Sequence, residues 1–174
     1  MTLTTIAAIG GLAVLALAAA PFALPDSKTV ERSAIIEAAP ETLFPFLASS
    51  EGFQTFNPYK DTDPELSITF SGPRTGVGAA FAFEGKEGCG TQTITALEEN
   101  HSVTMQIDLG AMGQPVQTFT LEPQADGTRV VWSVESQFGM NPIGRVFGLF
   151  LEGMLGPVYE RGLDNLANVA ADNA

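Results

Sequence analysis

Residues 126–169 read DGTRVVWSVESQFGMNPIGRVFGLFLEGMLGPVYERGLDNLANV, and this stretch decides the fold class. Asp126-Gly127 is a strong hairpin turn signal. The residues from Val130 to Val134 then place every second apolar side chain on one face, as a strand does. Asn141-Pro142 starts a helix, with the asparagine as its cap and the proline just inside. A strand that leads directly into one long helix predicts an α+β architecture.

The predicted helix carries a regular apolar stripe. Ile143, Phe147, Phe150, Met154 and Val158 recur at helical spacing, and Leu166 and Val169 continue the stripe further on. We expect this stripe to cover the sheet. Two interpretations stay open for the helix breakers inside it, close packing against the sheet or a hinge in a lid, and these breakers are Gly148, Gly153, Gly156 and Pro157.

Further strands precede this stretch. A first strand is predicted over residues 29–37, and a short helix opens at Pro40, while residues 53–64 read as irregular. One side of the strands is apolar and the other mostly polar, which predicts a curved antiparallel sheet covered on one face. The later strands carry period-two alternation at Leu66–Phe70, Phe81–Phe83, Gln92–Ile94, Val103–Ile107 and Phe119–Leu121.

The N-terminal segment is charge-free from Thr2 to Pro25. About twenty apolar residues span a bilayer core as a helix, so residues 1–25 are predicted to be a single transmembrane anchor. A cleaved signal peptide is the alternative, and it would make the protein secreted or periplasmic. A buried core helix is a third possibility. The predicted localisation is therefore the membrane, with the folded domain over residues 28–172 and the membrane topology left open.

Composition excludes several functions. The chain has 174 residues and a net charge of −12, which repels phosphate backbones, so we expect no nucleic-acid partner. Cys89 is the only cysteine and His101 the only histidine. No internal disulfide is possible, and we expect no metal site and no cofactor. The oligomeric state is left open.

The motifs along the chain resemble the SRPBCC (START-like, helix-grip) superfamily, in particular its polyketide cyclase/dehydrase-like, membrane-anchored bacterial branch. The resemblance covers about residues 28–170. It implies a long C-terminal helix held by a curved sheet, with a deep ligand cavity between them. The segments that carry it are Val30-Glu31-Arg32-Ser33, Ala38-Ala39-Pro40-Glu41, Phe56-Asn57-Pro58-Tyr59, Ser71-Gly72-Pro73, Gly76-Val77-Gly78, Gly127–Ser133 and Gly162–Leu166.

If the helix covers the apolar face, the cavity wall consists of the inward residues of both layers. Gln92 is the most informative of them, because it falls on the inward parity of its strand, where a buried amide needs partners. It either orients a ligand or bonds to the backbone. A core filled by the same side chains is the alternative to a cavity. The candidate ligand-binding residues are Tyr59, Phe81, Phe83, Gln92, Ile94, Met105, Phe119, Trp132, Phe147, Phe150 and Met154.

No cluster of polar residues resembles catalytic machinery, so no catalytic residue is assigned. The first hypothesis is a membrane-anchored binding protein for a hydrophobic small molecule, such as a lipid, a quinone or a polyketide-like compound. The second is an enzyme of the cyclase or dehydratase type that acts on a polyketide-like or aromatic substrate. The third is an interaction module whose interior is filled by its own side chains.

Overall fold

The computed structural model describes residues 20–173. One antiparallel sheet of seven strands has the order β1-β7-β6-β5-β4-β3-β2. Strands β2 to β7 thus follow one another as hairpins, and β1 closes the sheet beside β7. The strands are β1 (Ser27–Ile36), β2 (Ser67–Ser71), β3 (Ala80–Gly85), β4 (Gly88–Glu98), β5 (Ser102–Asp108), β6 (Val116–Gln124) and β7 (Gly127–Gln137).

The inward faces of the strands follow the predicted alternation. The pairing register places Phe119 opposite Trp132 and Leu121 opposite Val130, and all four side chains are fully buried. The register between β4 and β5 shifts between Ile94 and Ala96, and a bulge of this kind bends a strand and increases its twist. The predicted curved antiparallel sheet with a long C-terminal helix is confirmed.

Three short helices connect β1 to β2: α1 (Pro40–Leu47), α2 (Ser50–Phe56) and α3 (Tyr59–Thr62). The prediction that residues 53–64 are irregular was wrong. The Ser49 side chain caps α2 by accepting a hydrogen bond from the amide of Gly52 at 2.9 Å, and this capping signal was overlooked. Phe53 and Phe56 then enter the core from α2.

The C-terminal helix α4 (Pro142–Asp172) begins as predicted, because Asn141 accepts hydrogen bonds from the amides of Ile143 and Gly144. Its buried face differs from the predicted one. The predicted stripe lies mostly at the surface, with Ile143 79% and Phe150 61% exposed. A second stripe, rotated around the helix, packs on the sheet instead, and it comprises Leu151, Tyr159, Leu163 and Ala170. Leu166, from the end of the predicted stripe, is fully buried beside it, as expected.

Two of the predicted helix breakers are sites of close packing. A Cβ atom at Gly148 would lie 2.6 Å from the Phe138 ring, and one at Gly156 would overlap the Arg32 guanidinium. Arg32 also donates to Glu152 and Glu160 of α4, each at 2.7 Å. The hydrogen bond to Glu152, followed by that to Glu160, raises the pKa of Arg32, and the Arg32 guanidinium in turn lowers the pKa of Glu152. These contacts fasten α4 to β1 along the middle of the helix.

The predicted anchor, residues 1–25, lies mainly outside the described residues. Its last part forms a 3₁₀ turn at Ala20–Ala23, directly before β1. Within residues 20–173, no helix combines the length and the hydropathy that a membrane crossing requires.

Candidate functional site

A cavity of about 290 Å³ lies between the inner face of the sheet and the N-terminal half of α4. Its volume is close to the lower bound of about 300 Å³ for small-molecule pockets. Strands β3 to β7 supply one wall, and α2 and α3 close one side. From α4, the residues that line it are Phe147, Leu151, Met154, Leu155 and Tyr159.

The C-terminal half of α4 leaves no such space, because aromatic rings fill the gap beneath it. Trp132 stacks on Tyr159, with ring centroids 4.5 Å apart and an interplanar angle of 11°. Phe119 packs against the same indole at 4.7 Å. Gly162 lets the helix backbone approach, since a Cβ atom there would lie 3.0 Å from Cη2 of Trp132. The cavity therefore begins where this aromatic cluster ends, at Tyr159.

The structure divides the predicted site residues into two groups. Six of them line the cavity: Tyr59, Phe81, Phe83, Gln92, Phe147 and Met154. The other five do not line it. Phe150 points to solvent, because α4 is rotated about its axis relative to the predicted orientation. The other four are buried in the filled core, which occupies the same inward face of the strands as the cavity: Ile94, Met105, Phe119 and Trp132.

Two buried amides face the cavity from neighbouring parts of the sheet. Gln92 Nε2 donates to the Met105 sulfur at 2.7 Å, and Gln117 Nε2 approaches the same sulfur at 3.5 Å. Met105 thus holds both amides from behind. Among the described residues, no donor reaches either side-chain oxygen, so both oxygens are free to accept a hydrogen bond from a ligand. Neither of the two roles considered for Gln92 had included a sulfur partner.

Two phenols also line the wall, Tyr59 and Tyr159. Burial raises the pKa of Tyr59 to about 12, and the negative charge of Glu87 adds to the effect. Burial also raises the pKa of Tyr159 strongly, with a smaller contribution from Tyr59. Both groups therefore stay protonated at neutral pH. Because neither hydroxyl is held by a hydrogen bond to another described residue, each is available as a donor.

Only two charged side chains line the cavity within residues 20–173, and both are carboxylates, Asp63 and Glu87. Asp63 has a structural role. Its carboxylate accepts from the amide of Lys86 at 2.7 Å and from that of Glu65 at 3.2 Å. The bond from the Lys86 amide is the main cause of its lowered pKa. Glu87 is exposed at the rim.

The reactive side chains considered from sequence do not form a catalytic group. Cys89 is exposed and lines the cavity beside Gly88, whereas His101 lies in the turn between β4 and β5. Within residues 20–173, no three of the His, Cys, Asp and Glu side chains are grouped to hold a metal ion. The wall therefore offers uncharged hydrogen-bonding groups rather than a nucleophile with its base.

Sequence reasoning missed several lining residues. Gln117 carried the same signal as Gln92, since it shares the inward parity of Phe119 and is 2% exposed. Tyr159 belongs to the second helical stripe, whereas the sequence prediction followed the first. Phe53 lies within residues 53–64, which the sequence predicts to be irregular. These three, with Phe138 and Leu155, are the main additions to the site.

Comparison with known proteins places the fold. The chain resembles protein MLL2253 from Mesorhizobium loti with 20% identity and a TM-score of 0.58, covering 84% of this chain and 98% of that one. It resembles norcoclaurine synthase from Thalictrum flavum, in complex with dopamine and hydroxybenzaldehyde, with 14% identity and a TM-score of 0.64, covering 85% and 88%. The di-domain ARO/CYC StfQ from the steffimycin biosynthetic pathway gives 9% identity and a TM-score of 0.63, covering 84% and 51%.

A search of curated proteins finds no match. The family model described as "Polyketide cyclase / dehydrase and lipid transport" matches residues 27–171, which is nearly the whole described domain. The sheet, the long helix and the cavity between them agree with that match. The chain therefore belongs to the polyketide cyclase/dehydrase and lipid transport family, within the SRPBCC superfamily of helix-grip folds.

Proposed function

We propose that this protein binds one uncharged, largely apolar small molecule in the cavity and holds it close to a membrane. A lipid, a quinone or a polyketide-like compound fits this description. The observation that carries the proposal is the composition of the wall: it consists mainly of apolar side chains and carries uncharged polar groups, among them two amides that can accept a hydrogen bond and two phenols that can donate one. The amides are those of Gln92 and Gln117, and the phenols are those of Tyr59 and Tyr159.

The charge of the cavity argues for a neutral ligand. No lysine, arginine or histidine lines it among the described residues, and the carboxylate of Glu87 stands at its rim. An anionic head such as a fatty-acid carboxylate would lose its hydration there without gaining a counter-ion. A hydroxyl or carbonyl group, in contrast, finds either an amide oxygen or a phenol as its partner.

The membrane part of the proposal rests on the sequence of residues 1–25. As a single-pass anchor, this segment would keep the cavity near the phase in which apolar ligands dissolve. Cleavage of the same segment as a signal peptide would instead release the domain into a secreted or periplasmic form. Ligand binding by the cavity is expected in both cases.

The test uses two probes of equal chain length, dodecanol and dodecanoate, with the full chain in phosphatidylcholine vesicles. Trp132 is the only tryptophan and stacks on Tyr159 of the cavity wall, so its emission reports on occupancy. We expect a saturable change with dodecanol and none with dodecanoate. A Ser136→Phe variant, which places a ring in the cavity wall, is the control that should lose the response.

Two results would contradict the proposal. One is the absence of any saturable response to dodecanol that separates the wild type from the control variant. The other is tighter binding of dodecanoate than of dodecanol, which would require a cation that the described wall does not contain.

A second function is favoured by one specific observation. Glu87 and Tyr59 both line the cavity and lie close enough that the carboxylate raises the pKa of the phenol. A carboxylate base beside a phenol donor is what proton removal next to a carbonyl group requires. The alternative is therefore a cyclase or dehydratase that acts on a polyketide-like or aromatic substrate.

Deuterium uptake at the carbon next to the carbonyl of an aryl methyl ketone, followed by NMR, tests this alternative. A catalytic chain accelerates the exchange, and Glu87→Gln abolishes the acceleration while leaving dodecanol binding intact. If the wild-type chain does not accelerate the exchange, the enzyme alternative is excluded and ligand binding is the one remaining proposal.

A further inference from the structure

Exposed apolar side chains are concentrated on one part of the surface. Of the thirteen large hydrophobic residues that are exposed within residues 20–173, seven fall between Met140 and Met154. Single exposed apolar residues are common, but a contiguous group marks a binding surface. We call these seven the apolar face: Met140, Ile143, Val146, Phe147, Leu149, Phe150 and Met154.

Five members of the apolar face lie on a single stripe of α4. Ile143, Val146, Phe147, Phe150 and Met154 are separated by three, one, three and four positions, which keeps them within about a third of the helix circumference. All but Val146 belong to the stripe that the sequence predicts to cover the sheet. Its periodicity is that of an amphipathic helix, with its apolar side turned outward.

Charge is nearly absent from this surface. Between Phe138 and Leu151 the only ionisable residue is Arg145. Its guanidinium donates to the backbone oxygens of Phe22 at 3.0 Å and Leu24 at 2.8 Å. The cation is therefore directed at the preceding chain segment rather than at an acidic partner.

These bonds also fix where the chain enters the domain. The Arg145 guanidinium lies 5.7 Å from the centroid of the Phe22 ring. The amide of Phe138, just before α4 begins, donates to the backbone carbonyl oxygen of Asp26 at 2.7 Å. The described end of the apolar, charge-free segment, residues 20–25, thus lies directly beside the apolar face.

The mouth of the cavity is on the same side. Phe147 and Met154 belong to the apolar face, are 47% and 51% exposed, and also line the cavity. Met112, which is 70% exposed, borders the cavity from the loop after β5. The apolar face therefore extends from the entry of the chain to the opening of the cavity.

We infer that the apolar face docks onto the surface of a lipid bilayer and turns the mouth of the cavity toward the lipid. Docking here is apolar rather than electrostatic. A net charge of −12 opposes binding to anionic headgroups, and zwitterionic lipid is accordingly the preferred surface. The inference concerns a surface, so it holds whether or not the cavity binds a ligand.

The experiment places an environment-sensitive fluorophore on a single cysteine in the full chain, in a Cys89→Ser background. The labelled variants are Ile143→Cys and Phe150→Cys. The matched control is Ile35→Cys on β1, which is 62% exposed but lies outside the apolar face. Phosphatidylcholine vesicles with and without nitroxide-labelled acyl chains provide the lipid surface.

We expect the labels at positions 143 and 150 to shift to the blue and to be quenched by the nitroxide lipid, while the label at position 35 stays in water. With the label at 143, a Phe150→Ser change lowers the ratio of docked to undocked protein about tenfold, because one phenylalanine side chain leaves the lipid. Added salt has little effect on this ratio, since no ion pair with the lipid is involved.

Two results would overturn the inference. In one, all three labels report water in the presence of vesicles. In the other, the labels at 143 and 150 are already shielded without lipid, which would mean that another part of this chain or a second copy covers the apolar face. Both readouts are independent of dodecanol binding, so they are distinct from a failure of the proposed function.

Discussion

The contact between Gly162 of α4 and the Trp132 ring can be tested by adding a single methyl group. In Gly162→Ala, the new Cβ atom would overlap Cζ3 of Trp132, and it would lie 3.0 Å from Cη2 of the same ring and 3.2 Å from Cγ of Pro58. Trp132 is fully buried between Phe119 and Tyr159, so the ring has no room to move. Overpacking of this kind costs about 1–3 kcal/mol.

Gly153→Ala is the matched control on the same helix, because nothing lies within 4 Å of its Cβ position. Both substitutions gain the helix propensity of alanine over glycine, about 1 kcal/mol. That gain cancels in the difference between the two variants. Gly153→Ala should therefore be the more stable by about 1–3 kcal/mol.

Chemical denaturation of the full chain, with thermal melting as a second probe, measures this difference. In melting, it corresponds to about 2–4 °C for each kcal/mol in a chain of this size. Equal stability of the two variants, or a more stable Gly162→Ala, would refute the close packing of α4 on Trp132. It would also remove the physical reason why the cavity ends at Tyr159.

Three further predictions concern the bonds from Arg32 to α4 and the polar groups of the cavity. Arg32→Met destabilises the fold at neutral pH; because the guanidinium lowers the pKa of Glu152, the difference from wild type in urea denaturation shrinks as the pH falls through that lowered pKa. Gln92→Leu and Gln117→Leu each weaken dodecanol binding about three- to tenfold in the Trp132 emission titration, as expected for one hydrogen bond, and unchanged affinity in both would show that the amide oxygens do not contact the ligand. Tyr59→Phe weakens binding by a similar factor, and wild-type affinity stays constant up to mildly alkaline pH, since the phenol loses its proton only near its pKa of about 12; a loss of affinity near neutral pH in the same titration would contradict this.

The sheet was predictable because a period of two leaves few alternatives. Val130, Trp132 and Val134 had one possible face, and the Asp126-Gly127 turn fixed where their strand began. The same parity also pointed to Gln92. Applied to Gln117, it would have identified the second amide of the cavity.

The orientation of α4 was not predictable in the same way. The helix carries two apolar stripes of equal periodicity, one with Phe147 and Phe150 and another with Leu151 and Leu163. The choice depends on tertiary contacts that no local pattern encodes. Gly156 approaches Arg32, and Gly162 approaches Trp132. These two contacts turn the second stripe toward the sheet and leave the first at the surface.

The boundary between the filled core and the cavity could not be predicted from the sequence either. Phe119 and Phe81 have the same residue type and the same inward parity, yet only Phe81 lines the cavity. The difference arises from position along α4. The aromatic cluster around Trp132 fills the space under the C-terminal half of the helix, whereas the space between the sheet and its N-terminal half stays open as the cavity.

Native mass spectrometry of the full chain, released from phosphatidylcholine vesicles that contain dodecanol, tests the central claim most directly. The account predicts a single bound dodecanol per chain, absent from Ser136→Phe and not replaced by dodecanoate. A bare wild-type chain, or equal retention by the wild type and Ser136→Phe, would contradict the claim that an uncharged ligand occupies the space between the sheet and α4.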